Sequence, residues 1–191
     1  MGKNGKMFGS FLKVMCGDAK ETDLIIPDMY VKDVYSIDYK YLKKKGFRNL
    51  IFDIDNTITE VNSLEVSDKL IDFFKVLDKQ GFNMCILSNN GKKRVIPVAE
   101  KLGTGYIFEA KKPEKSAFDR ALVSLNSKRE NTAMIGDQVL TDIKGAKENG
   151  IYSILVEPVS DKYDIKTGMS RLLQNMMEKK INKFKRYNYY K

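Results

Sequence analysis

The stretch Asn49-Leu50-Ile51-Phe52-Asp53-Ile54-Asp55-Asn56-Thr57-Ile58-Thr59 ends an apolar run on two aspartates one residue apart. A run so rich in branched and aromatic residues reads as a buried strand. Side chains alternate along a strand, so Asp53 and Asp55 point the same way where it ends. Two neighbouring carboxylates repel and call for a cation or a shared proton. A hard divalent ion with oxygen ligands, Mg²⁺ above all, meets that need. A strand running into a polar turn uses the same residue types, because Asp and Asn are frequent in turns. This segment alone leaves both readings open.

The elements that would position these residues follow from periodicity. After the first strand, Val66, Leu70, Ile71, Phe74 and Leu77 recur at helical spacing and stop near Gly81. Strands are predicted over 83–87, 106–108, 132–135 and 152–156. Between them lie a helix over 95–102 with Pro97 in its first turn, one carrying Ala117, Phe118, Ala121, Leu122 and Leu125, and one carrying Val139, Leu140, Ile143 and Ala146. Ahead of all these, Pro27 is expected to break any regular element in the apolar stretch from Leu24 to Val31. A short helix is expected between Ser36 and Gly46. Five strands alternating with helices predict an α/β fold, a mainly parallel sheet covered on both faces in a three-layer, Rossmann-like arrangement.

Open sheets of this kind bind ligands beyond the carboxyl ends of their strands. Along that edge the chain offers Asp53 and Asp55, then Ser88, then Lys112, then Asp137 and Asp142. Taken singly, Ser88 reads as a helix cap and Lys112 as a solvated lysine. Their joint placement, each just past a predicted strand, is hard to obtain from turn chemistry.

Composition narrows the chemistry. A chain of 191 residues predicts one domain with modest extensions. It contains no histidine, which excludes Ser-His-Asp triads, Cys-His pairs and His-ligated metals. Cys16 and Cys85 offer no disulfide framework, which fits a reducing, cytoplasmic setting. No apolar run is long enough to span a bilayer. The net charge of +9 belongs to the ends: residues 1–20 hold four lysines against Asp18, and residues 171–191 hold seven basic residues against Glu178. Phe8, Phe11, Leu12 and Met15 stand at helical spacing among the first lysines, and Leu172, Leu173, Met176, Met177, Ile181 and Phe184 line one side of a helix expected over 169–190. An anionic surface is the partner such ends would suit, and solvated tails are the other reading. The resulting division is a basic amphipathic leader over 1–23, a catalytic domain over 24–168 and a basic C-terminal helix and tail over 169–191.

The ordered set Asp53-Ile54-Asp55-Asn56-Thr57, Ser88, Lys112 before Pro113, and Gly136-Asp137-Gln138-Val139-Leu140-Thr141-Asp142 resembles the four motifs of the haloacid dehalogenase (HAD) superfamily of Mg²⁺-dependent phosphohydrolases. The resemblance implies that Asp53 attacks phosphorus and carries an aspartyl-phosphate, with Asp55 as the acid and base that serves it. It implies Lys112 as the counter-charge, with Lys111 as its rival, and Thr57, Ser88 and Asn89 beside it on the substrate phosphate. It assigns Mg²⁺ to Asp53, Asp137, Asp142 and the main-chain carbonyl of Asp55. About thirty residues separate Thr57 from Ser88 and about two dozen separate Ser88 from Lys112, so neither gap has room for a large cap domain.

The segments from Ile26-Pro27 to Ile37, Phe52 to Ile58, Ser88-Asn89-Asn90, Ala110-Lys111-Lys112-Pro113 and Gly136 to Asp142 bring the similarity closer, to the YqeG-type, phosphatidylglycerophosphatase-like branch. That branch implies removal of the terminal phosphate of phosphatidylglycerophosphate, a phospholipid precursor, by an enzyme peripheral to the membrane. A soluble sugar or nucleotide phosphate is the alternative substrate, and a non-catalytic protein binding RNA or membrane through its tail is the alternative of another class. Nucleic acid is not the expected partner, because no RNA-binding motif accompanies the lysines.

Overall fold

Residues 16–160, Gly9 and residues 12–14 are described by the computed structural model. Phe8, Phe11 and Met15, and the helix and tail drawn over 169–191, lie outside the described residues. Six strands form the sheet: β1 (Met29–Val31), β2 (Asn49–Phe52), β3 (Asn83–Leu87), β4 (Gly105–Ile107), β5 (Thr132–Gly136) and β6 (Tyr152–Val156). Their order is β1-β6-β5-β2-β3-β4, and every pair is parallel.

Period-two patterning sends alternate side chains of each central strand to opposite layers. Leu50, Phe52, Met84, Ile86, Ala133 and Ile135 face one layer, built on α2 (Tyr39–Lys44), α3 (Asp68–Lys79) and α4 (Lys92–Leu102). Ile51, Cys85, Leu87 and Met134 face the other, with Ala117, Phe118, Ala121 and Leu122 of α5 (Lys115–Ser124) and Ala146 of α6 (Lys144–Glu148). The chain leaves β2 through α3 and α4 on one layer, then returns through α5 and α6 on the other. Its winding therefore reverses at β2, and the crevice between the carboxyl ends of β2 and β5 is where such folds take ligands. A polar ladder pins the other end: Asn83 Nδ2 donates to Asn49 Oδ1 at 3.0 Å, and Asn49 Nδ2 donates to Asn131 Oδ1 at 2.9 Å. Register set there fixes what emerges at the far end.

Three expectations change. The sheet has six strands, not five, because β1 forms beyond Pro27. It is an edge strand of three half-buried residues that pairs only with β6, so its sequence carries little periodic signal. Helix α4 starts at Lys92, ahead of Val95, since Gly91 O accepts from both Arg94 N and Val95 N. Pro97 thus stands inside the helix rather than in its first turn, and removes one backbone donor. The helix expected from Val139 opens as a π-helical turn, Val139–Ile143, before α6. Ahead of β1 lies helix α1 (Ala19–Ile25). Ile25 and Val14 pack with Val139, Leu140, Ile143 and Leu155. Among the described residues one helix separates β2 from β3 and one separates β3 from β4, with no cap domain in either connection.

Candidate active site

Asp53 follows β2 directly, and its N–H still donates to Ile135 O of β5 at 3.0 Å. The next residues turn sharply. The N–H groups of Thr57, Ile58 and Thr59 converge on Ile54 O at 3.2, 3.0 and 3.1 Å, and Asn56 takes the left-handed conformation at φ 60°. Asn tolerates that region better than most residues. This turn delivers Thr57 to the tip of β5, where its Oγ1 accepts from Asp137 N at 3.0 Å and donates to Asp137 Oδ1 at 3.2 Å.

The π-helical turn explains how Asp142 reaches the same place. Asp142 Oδ2 accepts from Gln138 N at 3.1 Å, folding the carboxylate back over the end of β5. A Cβ on Gly136 would come within 2.5 Å of Asp142 Cβ and Cγ, so glycine there permits the approach.

Lys112 arrives from the loop after β4. Asn89 grips its main chain from both sides: Asn89 Oδ1 accepts from Lys112 N at 2.6 Å, and Asn89 Nδ2 donates to Lys112 O at 3.3 Å. Lys112 Nζ then lies 2.5 Å from Asp53 Oδ1 and 2.7 Å from Asp142 Oδ1, with only 2% of the side chain exposed. Lys111 is exposed. Of the two lysines, Lys112 is the one that meets the carboxylates.

Asp53, Asp137 and Asp142 place an oxygen each within 4.8 Å of one another, and all three are buried. One ammonium cannot balance three carboxylates in such surroundings. Burial, opposed by Lys112 and reinforced by Asp142, lifts Asp53 from the usual 3.8 to about 7. Burial, then the charges of Asp53 and Asp142, holds Asp137 well above its ordinary value. Burial would lower the Lys112 ammonium, but the Asp142 and Asp53 carboxylates outweigh it and raise it. The donors are all oxygens and carry surplus negative charge beside a single ammonium. That set suits a hard divalent metal.

The sign of the pH dependence follows. A carboxyl raised on folding contributes stability that is complete below its unfolded value of 3.8 and is lost as pH climbs through about 7. The melting temperature of metal-free protein should therefore fall between about pH 5 and about pH 8, and Mg²⁺ should restore most of the loss. Thermal melts across that range, with Mg²⁺ and with chelator, measure it. A flat metal-free profile would contradict the charge surplus.

The remaining expected residues are placed differently. The Asp55 carboxylate is outside the three-carboxylate group: Oδ1 accepts from Arg94 Nε at 3.1 Å, Arg94 Nη2 at 2.8 Å and Asn62 N at 3.1 Å, and Oδ2 accepts from Asn90 Nδ2. Ser88 follows β3, the strand beside β2, and its Oγ accepts from Asn90 N at 3.2 Å. Thr57, Ser88 and Asn89 thus have protein partners that orient Asp137, the 88–90 turn and Lys112. Sequence reasoning missed Arg94 altogether. Its only signal was a place in the first turn after β3, inside the basic run Lys92-Lys93-Arg94.

Comparison with known proteins gives the family. The HAD-hydrolase-like family model matches residues 109–167, which include Lys112, Asp137 and Asp142. Probable phosphatase YqeG of Bacillus subtilis is 36% identical over 149 residues, covering 78% of this chain and 87% of that protein. The chain belongs to the YqeG-type HAD phosphatases. Two further relatives of this HAD phosphatase are phosphatidylglycerophosphate phosphatases. The Arabidopsis thaliana protein is 28% identical over 153 residues, covering 74% of this chain and 43% of that protein. The Chlamydomonas reinhardtii protein is 25% identical over 166 residues, covering 82% of this chain and 61% of that protein. The chain therefore spans less than two thirds of either of these two relatives. A HAD phosphatase from Thermococcus onnurineus superposes with a TM-score of 0.51 at 15% identity, over 62% of this chain and 90% of that one, a likeness of fold. The protein is accordingly a phosphoric monoester hydrolase. No helix among the described residues is long and apolar enough to cross a membrane.

Proposed function

We propose that this phosphatase removes the terminal phosphate of phosphatidylglycerophosphate at a membrane surface, with Mg²⁺ as cofactor and an aspartyl-phosphate on Asp53 as intermediate. The observation that carries the chemistry is Lys112 Nζ, buried between Asp53 and Asp142 with Asp137 beside them. Asp53, Asp137 and Asp142, with the main-chain carbonyl of Asp55, would hold Mg²⁺. When bound, it supplies positive charge for the carboxylates and the phosphoryl oxygens.

With Lys112 gripping Oδ1, Asp53 forms a bond from its carboxylate to phosphorus while the bond from phosphorus to the leaving oxygen breaks. Asp55 gives its proton to that oxygen as it departs. In the second step a water oxygen attacks phosphorus, Asp55 takes the proton, and the Asp53–phosphorus bond opens to release phosphate. Lys112 stays beside the charge that gathers in both steps, in a site that needs no reorganisation to provide it.

The lipid assignment draws on the two named phosphatidylglycerophosphate phosphatases and on a strand edge that carries no cap domain among the described residues, which suits a substrate presented from a surface. Basic residues concentrated in 1–20 and 171–191 would meet anionic lipid and hold the enzyme peripherally. The test compares phosphate release from vesicles containing phosphatidylglycerophosphate with release from a panel of soluble sugar and nucleotide phosphates, each with Mg²⁺ and with chelator. The expected result is a kcat/KM at least about tenfold higher on the vesicles, dependent on Mg²⁺. A higher value on any soluble member overturns the lipid assignment, and full activity in chelator overturns the metal.

A further inference from the structure

Helix α4 begins at the carboxyl end of β3, so Arg94 in its first turn stands beside the loop that follows β2. Besides the two contacts with Asp55, Arg94 Nη2 donates to Thr59 Oγ1 at 2.6 Å and to Glu60 O at 3.4 Å. The Asp55 carboxylate consequently receives donors on both oxygens from three segments: Arg94 of α4, Asn90 of the turn before it, and Asn62 of the β2 loop. The Arg94 side chain is only 10% exposed, and its Nη1 is buried with no hydrogen-bond partner among the described residues. The hydrogen bonds of the guanidinium go to Asp55 and to the adjoining residues Thr59 and Glu60. With Asn62 N and Asn90 Nδ2 it fixes both oxygens of the Asp55 side chain in one place.

We propose that Arg94 is the positioning residue for Asp55, fixing the carboxyl where it can protonate a poor, unactivated leaving group. This rests on the reading of Asp55 as the acid that serves Asp53. Asp55 has a short side chain on a turn, and a displacement of about 1 Å at a reacting group can cost about 10²-fold in rate. An alkoxide, such as the one a phosphorylated glycerol would release, needs that proton. A nitrophenolate does not. Arg94 therefore sets the enzyme's reach toward alkyl phosphates through the placement of another residue, without touching phosphorus.

Leaving-group dependence separates this from a general structural role. Phenyl phosphate and p-nitrophenyl phosphate share one ring and differ in how much the leaving oxygen needs a proton. With Mg²⁺ present, Arg94→Met should lose about 10²-fold in kcat on phenyl phosphate and less than about 10-fold on p-nitrophenyl phosphate, with the loss in kcat rather than KM. Arg94→Lys should recover part of the difference, since lysine keeps the charge and loses the planar fork. Thr59→Val removes the bond that steadies Nη2 and should shift the ratio the same way by less, which keeps the test decisive if Arg94→Met does not fold. Asp55→Asn is the reference, with the same selectivity in stronger form. If Asp55→Asn is selective while the Arg94 and Thr59 variants slow both substrates equally, the positioning role is overturned. If Asp55→Asn itself slows both equally, the fault lies in the reading of Asp55.

Discussion

Asparagine in place of Asp53 is expected to lower Mg²⁺-dependent phosphate release by about 10³-fold or more, while the metal-free protein melts at pH 8 no lower than the wild type. The two halves of that expectation have one cause. Asp53→Asn keeps the shape of the side chain and an oxygen for Lys112 Nζ, now 2.5 Å from Asp53 Oδ1. An amide does not attack phosphorus to give an acyl phosphate, so the covalent route closes. The same change removes one of three buried carboxylates that share a single ammonium. Asp137, held high by burial first and by Asp53 next, is relieved of the charge that raises it most. Phosphate release paired with melting curves in chelator measures both. Retained activity would place the nucleophile elsewhere. A large drop in melting temperature would mean that Asp53 serves the fold.

That trade between charge and stability bears on what the sequence could reveal. Continuous apolar runs in β2, β3 and β5 made the buried sheet legible, and the first polar residue after each strand marked the edge where the candidate site lies. Asp53 and Asp137 follow from that reading because adjacent parallel strands end at matched register, Phe52 opposite Ile135. Other features depend on contacts that local pattern does not encode. Strand β1 is secured by residues 125 positions away, with Asp28 N bonded to Ser153 Oγ. The π-helical turn exists because Asp142 must fold back over Gly136, and an apolar repeat cannot distinguish that from an ordinary helix. Lys111 and Lys112 are equivalent in composition. The backbone decides between them, with Lys111 in the left-handed region at φ 65° and Asn89 holding the next residue inward. Arg94 was hidden for the opposite reason, since the third member of a basic run reads as solvated, yet its guanidinium is turned in to Asp55.

The second large effect should come from that lysine. Lys112→Met is expected to abolish measurable turnover and to destabilise the metal-free protein at pH 8 by about 3–5 kcal/mol, the usual cost of removing one partner from a buried ion pair. Methionine fills much of the space but leaves Asp53 and Asp142 facing each other with Asp137 near both. The cluster can respond only by taking up protons or by binding a cation. Added Mg²⁺ should thus raise the melting temperature of Lys112→Met more than that of the wild type, although catalysis does not return. Lys111→Met, one residue away and exposed, should change stability by no more than about 0.5 kcal/mol. Denaturant unfolding of both variants, with Mg²⁺ and with chelator, makes the comparison. Equal effects at 111 and 112 would mean that the buried ammonium does not organise the carboxylates, and the case for phosphoryl transfer at this strand edge would lose its central contact.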